Sequence, residues 1–255
     1  MAIYDPVETD TSKQYVLKLF KETGNTGGIG LLGGWAVYLW VHENFRKATG
    51  SEYLGSRDID VFIDVDSEAA EKLNTFMQRN GFLPSGYFFR YQLITERETG
   101  RELTEEESKK IQSYNLFIIF LDIFGNKESK ELKLWTSQLI AEMFETDSKE
   151  VLIFENMPIL VPSVDILLAL KVEGFLGREN TEKKQKDAAD IYALFFYSGE
   201  LNWDKLKHKD IIRKSVDIML SSESYIRFIA KELFGDELKF SLVKANLLTV
   251  LESLK

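Results

Sequence analysis

The chain has 255 residues, no cysteine, two histidines and a formal net charge of −9. Disulfides and thiolate metal sites are thereby excluded, and His42 and His208 alone cannot build a multi-histidine zinc site. The acidic balance argues against a broad electrostatic grip on nucleic acid, while leaving room for a local basic groove. With 44% hydrophobic and 29% charged residues the sequence reads as an ordinary globular protein, one large domain or two modest ones. The opening MAIYDPVETD lacks the basic and apolar regions of a signal peptide, and no apolar run approaches the length of a membrane span. No membrane partner is expected, and the expected compartment is the cytoplasm.

Along the chain, residues 12–23 place apolar side chains at helical spacing, with Gly24 as a natural C-cap. Ile29–Leu32 is a short apolar run, and Gly33-Gly34 opens an amphipathic helix to about Lys47. Residues 58–65 (DIDVFIDV) alternate acid and apolar residues as a strand does. A helix is predicted over 67–80, with Ser67 as N-cap and Gly81 past its end. Residues 87–95 and 115–124 read as paired strands separated by a charged, solvated excursion at 96–110, and 131–142 reads as a helix. From residue 163 the pattern is helical throughout: 163–177, 183–198, 204–219, 222–233 and 236–254. The expected organisation is an α+β domain over residues 1–160 followed by a helical domain over 161–255.

Two short stretches carry chemistry. Gly28, Gly30 and Gly33 have the G-x-G-x-x-G spacing of dinucleotide-binding proteins. That reading needs a strand before the first glycine, where the sequence has the polar run KETGNT, so an NAD-dependent dehydrogenase is disfavoured. The second stretch is Asp58-Ile59-Asp60. Residues two apart on a strand share a face with Cα atoms roughly 6.5–7 Å apart, and two carboxylates there repel unless a cation lies between them. Oxygen-only sites of this kind suit Mg²⁺. Asp122, enclosed in the apolar run FLDIF, is a third acid that needs a partner. If its strand lies beside 58–65, three carboxylates meet and two metal ions can be held. The plainer alternatives are that Asp58 and Asp60 face water at a strand mouth and that Asp122 pairs with Arg57 or Arg90. A calcium loop is excluded by the absence of the required alternation and glycine, and an aspartic-protease site by the absence of Asp-Thr/Ser-Gly.

Taken together, Gly33-Gly34-Trp35-Ala36, Arg57-Asp58-Ile59-Asp60-Val61 and Leu121-Asp122-Ile123 resemble the nucleotidyltransferase superfamily with the DNA polymerase β-type fold. The nearest look is to its abortive-infection toxin and minimal nucleotidyltransferase branch. The Leu168-Ala169-Leu170-Lys171 and Lys186-Asp187-Ala188-Ala189-Asp190-Ile191 segments look like the helical partner region of that branch. The resemblance spans roughly residues 28–195. It implies a mixed sheet flanked by helices with a C-terminal helical bundle. It also implies transfer of an NMP from an NTP to a hydroxyl acceptor (a tRNA end, a protein or a small molecule such as an antibiotic).

By the same resemblance Asp58 and Asp60 would hold Mg²⁺ on the triphosphate, with Mn²⁺ as a substitute. Asp122 would complete a second metal site and help deprotonate the acceptor. Gly33, Gly34, Arg57 and Lys171 would bind the nucleotide. Many members carry Gly-Ser where this chain has Gly33-Gly34, which leaves phosphate binding to backbone amides. Lys171 could instead be a snorkelling lysine, Asp187 and Asp190 either orient it or form a solvated acidic face, and His42 and Trp35 read as structural. The competing function is a non-catalytic protein of the same fold, acting as the binding or regulatory member of a pair with an antitoxin-like partner.

Overall fold

The computed structural model describes residues 5–24, 28–199, 201–204 and 206–255. Gly27, expected in the loop before the first strand, and Lys205, expected in a helix, lie outside the described residues. By packing the chain divides into two compact units: one runs up to Trp35 and resumes over Gly55–Pro162, the other takes in Ala36–Leu54 and Ser163–Lys255.

The first unit opens with helix α1 (Pro6–Thr23), which begins six residues earlier than the apolar spacing predicts. The Asp5 carboxylate accepts from the Val7 amide at 3.0 Å and Pro6 fills the first helical position, where its missing N–H costs nothing. The chain then forms β1 (Ile29–Leu31), α2 (Gly33–Thr49), β2 (Ile59–Ile63) and α3 (Ala69–Arg79). The Ser67 hydroxyl accepts from the Ala69 amide at the start of α3, and Gly81, with φ +68°, lies just beyond its end. β3 (Leu83–Pro84), β4 (Arg90–Glu96), a one-turn helix α4 (Glu105–Ser108) and β5 (Leu116–Gly125) follow. The 96–110 segment is held to the unit by more than its ends, for Glu102 pairs with Thr95 and accepts the Tyr15 hydroxyl at 2.6 Å.

Beyond β5 the structure departs from expectation in three places, one being the helix expected over 204–219, which starts only at Lys209. Residues 131–142 are not one helix: Trp135 and Thr136 form a two-residue strand, β6, and α5 (Gln138–Glu145) starts only after Ser137. The reason is tertiary, since Phe124 and Gly125 of β5 offer Trp135 and Thr136 a parallel ladder. Strands β7 (Lys149–Phe154) and β8 (Met157–Pro162), unforeseen from the sequence, form a hairpin around Glu155 and Asn156, both with positive φ. The strand order is β3-β4-β5-β2-β1-β8-β7, with β6 beside β5. β2 and β5 are parallel and β4 is antiparallel to β5, so the sheet is mixed. Along β5 the odd positions Phe117, Ile119, Leu121 and Ile123 are buried, whereas Leu116, Ile118, Phe120 and Phe124 are half-exposed. The even-numbered face of β5 is therefore the open one.

The second unit is helical: α2 from Ala36 on, α6 (Val164–Gly177), α7 (Thr181–Tyr197), α8 (Lys209–Ser221), α9 (Glu223–Phe234) and α10 (Phe240–Ser253). Its core is formed by Val172, Phe175, Ile191, Tyr192, Met219, Ile229 and Leu247, all fully buried. The fold is thus a mixed sheet flanked by helices with a helical C-terminal region. No described helix is long and apolar enough to cross a membrane.

Candidate active site

The site starts at the turn from β1 to α2. Gly28, Gly30 and Gly33 stand before, within and after β1, so the G-x-G-x-x-G spacing straddles a strand and does not form one strand-to-helix loop. Each glycine has its own local cause. A Cβ on Gly30 would lie 2.1 Å from the Phe62 ring. Gly33 has φ +61°, and a Cβ there would lie 1.7 Å from Oδ2 of Asp60. The Asp60 carboxylate therefore packs directly on the first residue of α2. At Gly34 a Cβ would meet the Ser56 side chain at 2.9 Å. Ser56, which nothing in the sequence singled out, is buried and donates its hydroxyl to the Asp58 carbonyl at 2.9 Å, fixing the approach to β2. The Leu32 amide donates to the Asp60 carbonyl at 2.8 Å and so ties the two stretches together.

Strand pairing then brings in the third acid. Asp60 and Asp122 are Cα partners on the parallel pair β2 and β5, and Arg90 on β4 is the partner of Asp122 on the other side. Residues directly opposite on neighbouring strands share a face, so Asp60, Asp122 and Arg90 stand in a row across the sheet. Asp58 lies one residue before β2 and is half-exposed, as is Asp60. Asp122 is buried, and Arg90 clamps it with two hydrogen bonds, Nε to Oδ1 at 2.7 Å and Nη2 to Oδ2 at 2.6 Å. The hydrogen bonds to Asp122 hold the Arg90 guanidinium above its ordinary range against the pull of burial, and the charges of Asp122, Asp58 and Asp60 all add to this. Arg90 thus senses all three carboxylates.

The expected meeting of three carboxylates around metal ions is not what the side chains make. Among the described residues no group of three or more His, Asp or Glu side chains is placed to hold a metal ion. The cation on Asp122 is Arg90. The donor set at the head of β2 still suits a hard cation, since Mg²⁺ takes one or two carboxylates and completes its shell with water and phosphate oxygens.

The remaining predicted residues are engaged elsewhere. Arg57 donates from Nε to the buried carboxylate of Glu8 at 2.7 Å and lies over the Phe117 ring, while Arg97 holds the other Glu8 oxygen at 2.6 Å. Trp35 is buried and donates to the Ser12 hydroxyl at 3.0 Å, and His42 stacks on Tyr38 with Nδ1 3.0 Å from Glu52.

Lys171, in the helical unit, belongs to a buried charge cluster between α6 and α7. Its Nζ lies 2.8 Å from Oδ2 of Asp190 and 3.5 Å from Asp187. Lys186 also pairs with Asp190, the Tyr53 hydroxyl donates to Asp190 at 2.7 Å, and Arg178 reaches Asp187 at 3.0 Å. Asp187 and Asp190 are therefore not a solvated acidic face. Burial pushes the Asp190 carboxyl up, but Lys171 and Lys186 reverse that and hold it at about 2. Burial raises Asp187 despite Lys171 and Arg178, and burial lowers Lys186 despite Asp190.

No protein-family model matches the chain, and no curated protein matches it. Among solved structures it is similar to an antigenic nucleotidyltransferase-like protein from Paracoccidioides brasiliensis, with 15% identity over 89% of this chain and 98% of that one and a TM-score of 0.49.

Proposed function

We propose that the chain is a magnesium-dependent nucleotidyltransferase of the DNA polymerase β-type, transferring an NMP from an NTP to a hydroxyl acceptor. The observation that carries this reading is the packing of the Asp60 carboxylate on Gly33 at the head of α2, with Asp122 as its cross-strand partner. The amides at the head of α2 thereby lie next to the Asp60 carboxylate, with Asp122 on the neighbouring strand. The first turn of a helix leaves N–H groups without intrahelical partners, and the helix dipole favours negative charge there. The Gly33-Gly34 turn would bind the triphosphate through these amides.

Asp58 and Asp60 would hold Mg²⁺, and the ion would supply charge neutralisation at the phosphates. Asp122 is the acceptor-side base, positioned by Arg90. Each of its oxygens keeps a further lone pair beside the one that accepts from Arg90. Arg57 and Lys171, ion-paired as described, support the first unit and the helical unit respectively, and their part in nucleotide binding would require those pairs to open.

The test is incubation of the purified protein with labelled NTPs, Mg²⁺ and hydroxyl acceptors. Wild type should label an acceptor and release pyrophosphate, and Asp60→Asn should lose at least two orders of magnitude of that rate with an unchanged melting temperature. Equal labelling by wild type and Asp60→Asn would overturn the reading in favour of a non-catalytic binding protein.

A further inference from the structure

Beside the carboxylates the chain exposes a group of aromatic rings that nothing in the core requires. Tyr87, Phe88 and Trp135 are 62%, 55% and 48% exposed. Tyr87 stacks on Phe89 at 5.7 Å and 23°, Trp135 lies 5.8 Å from Phe88 and 5.7 Å from Phe89, and Phe89 rests on Phe124 at 6.0 Å. The group is tied to the site through the backbone. The Ile123 amide, one residue past Asp122, donates to the Phe89 carbonyl at 3.0 Å, and the next residue, Arg90, clamps Asp122. Arg90 also lies over the Tyr87 ring at 5.3 Å.

Register fixes which side of the carboxylates these rings occupy. Phe124 pairs with Phe62 of β2 on one side, so its other partner, Trp135 of β6, lies on the side of β5 that β4 leaves beyond Arg90. Across the sheet the order is therefore the glycine turn after β1, Asp60 on β2, Asp122 on β5 and Arg90 on β4, with the rings gathered past Arg90 at the level of Phe124. Trp135 is level with Phe124, which stands two residues along β5 from Asp122 on the same face, about 7 Å away, and Trp135 is one strand further out.

We infer that Tyr87, Phe88, Phe89 and Trp135 form a stacking platform for an unpaired nucleobase of the acceptor, whose sugar hydroxyl then lies at Asp122. The inference rests on the transferase reading. If the triphosphate occupies the glycine turn, the opposite side of the carboxylates is where the attacking hydroxyl must stand, and that side is formed by Arg90 and the rings beside it. A base is the flat group that carries a hydroxyl one sugar away, and exposed rings bind bases of any identity through their π-faces. In the transfer the sugar oxygen forms a bond to the α-phosphorus and the bond from that phosphorus to the bridging α–β oxygen breaks. Pyrophosphate leaves with the electron pair, and the hydroxyl proton passes to the Asp122 carboxylate.

Two sources share this chemistry, a free nucleoside and the end of a single strand. The full chain is titrated with a fluorescent single-stranded oligonucleotide and with a blunt duplex of the same sequence, and Mg²⁺–NTP binding is measured separately by calorimetry. The single strand should bind at least tenfold more tightly than the duplex. Trp135→Ala and Phe88→Ala should each weaken single-strand binding roughly tenfold, with the melting temperature and Mg²⁺–NTP affinity unchanged. Displacement of the strand by a mononucleoside assigns the acceptor to a free nucleoside, and its absence assigns it to a strand end. Equal binding of duplex and single strand, no binding of either, or indifference to both substitutions overturns the platform. Transfer of label to a nucleoside-ended acceptor at the same rate in wild type, Phe88→Ala and Trp135→Ala overturns the platform while leaving the transferase reading intact. Failure of wild type to label any acceptor overturns the transferase reading instead.

Discussion

The side chain most exacting about its neighbours is one that is missing. At Gly33 both the positive φ and the 1.7 Å approach of Asp60 exclude a Cβ. Alanine there meets the left-handed penalty of roughly 1–2 kcal/mol and must also displace the carboxylate. Gly33→Ala should therefore lose about 2–3 kcal/mol in urea unfolding, and NTP binding should fall further than that stability loss explains, because Asp60 moves with it. Arg90 is the complementary case. Asp122 is buried with Arg90 on both of its oxygens, and breaking a buried pair from one side leaves an uncompensated charge worth about 3 kcal/mol. Arg90→Gln should shift the urea midpoint by that amount. Adding Mg²⁺ should stabilise Arg90→Gln more than the Arg90→Gln, Asp122→Asn double variant, which keeps only Asp58 and Asp60 for the ion, since a ligand that binds only the folded state raises its stability.

Between elements, the decisive contacts are those that pattern alone does not specify. The period-two alternation of DIDVFIDV makes β2 legible, and the apolar run around Asp122 makes β5 legible, because both signals are local. Which strand pairs with which is a non-local choice, so the Asp60–Asp122 register comes only from the fold, and so does the choice of Arg90 over Arg57 for Asp122. β6 was hidden for the same reason, since two residues in a ladder supplied by β5 leave no periodic trace. The hairpin of β7 and β8 turns on Glu155-Asn156, which lacks the glycine that usually marks such turns.

Helices α6 and α7 repeat the lesson. Their separate helical patterns are readable, but the closing of Lys171 and Lys186 on Asp190 is not. That closure carries a pH signature. With the folded carboxyl held at about 2 against an unfolded value of about 4, Asp190 stabilises the protein fully above pH 4, and its contribution disappears as the pH falls toward 2. Asp190→Asn should be less stable than wild type by about 3 kcal/mol at neutral pH. The gap should narrow between about pH 4 and 2 in parallel urea titrations, and a gap independent of pH would assign the cost to packing alone.

At the scale of the whole molecule, the charge of −9 sets the terms on which a nucleic-acid acceptor can be held. A protein that grips phosphates with lysine and arginine releases counterions, and with six to ten such contacts it loses about 10³–10⁵ in affinity between 50 and 200 mM salt. This surface works against that mode. The arginines nearest the carboxylates are already committed, Arg90 to Asp122 and Arg57 to Glu8, and the acidic total repels a polyanion at long range. What remains is stacking on the Tyr87-Phe88-Phe89 and Trp135 rings, which is short-ranged and insensitive to ionic strength. Single-strand binding should therefore weaken less than about tenfold between 50 and 200 mM salt, giving a slope of log K against log salt no steeper than about −1.5. Trp135→Ala should lower the affinity at every salt concentration without changing that slope. A steep slope with a Trp135→Ala variant of wild-type affinity would place the acceptor on a basic patch and leave the rings without a role in holding it.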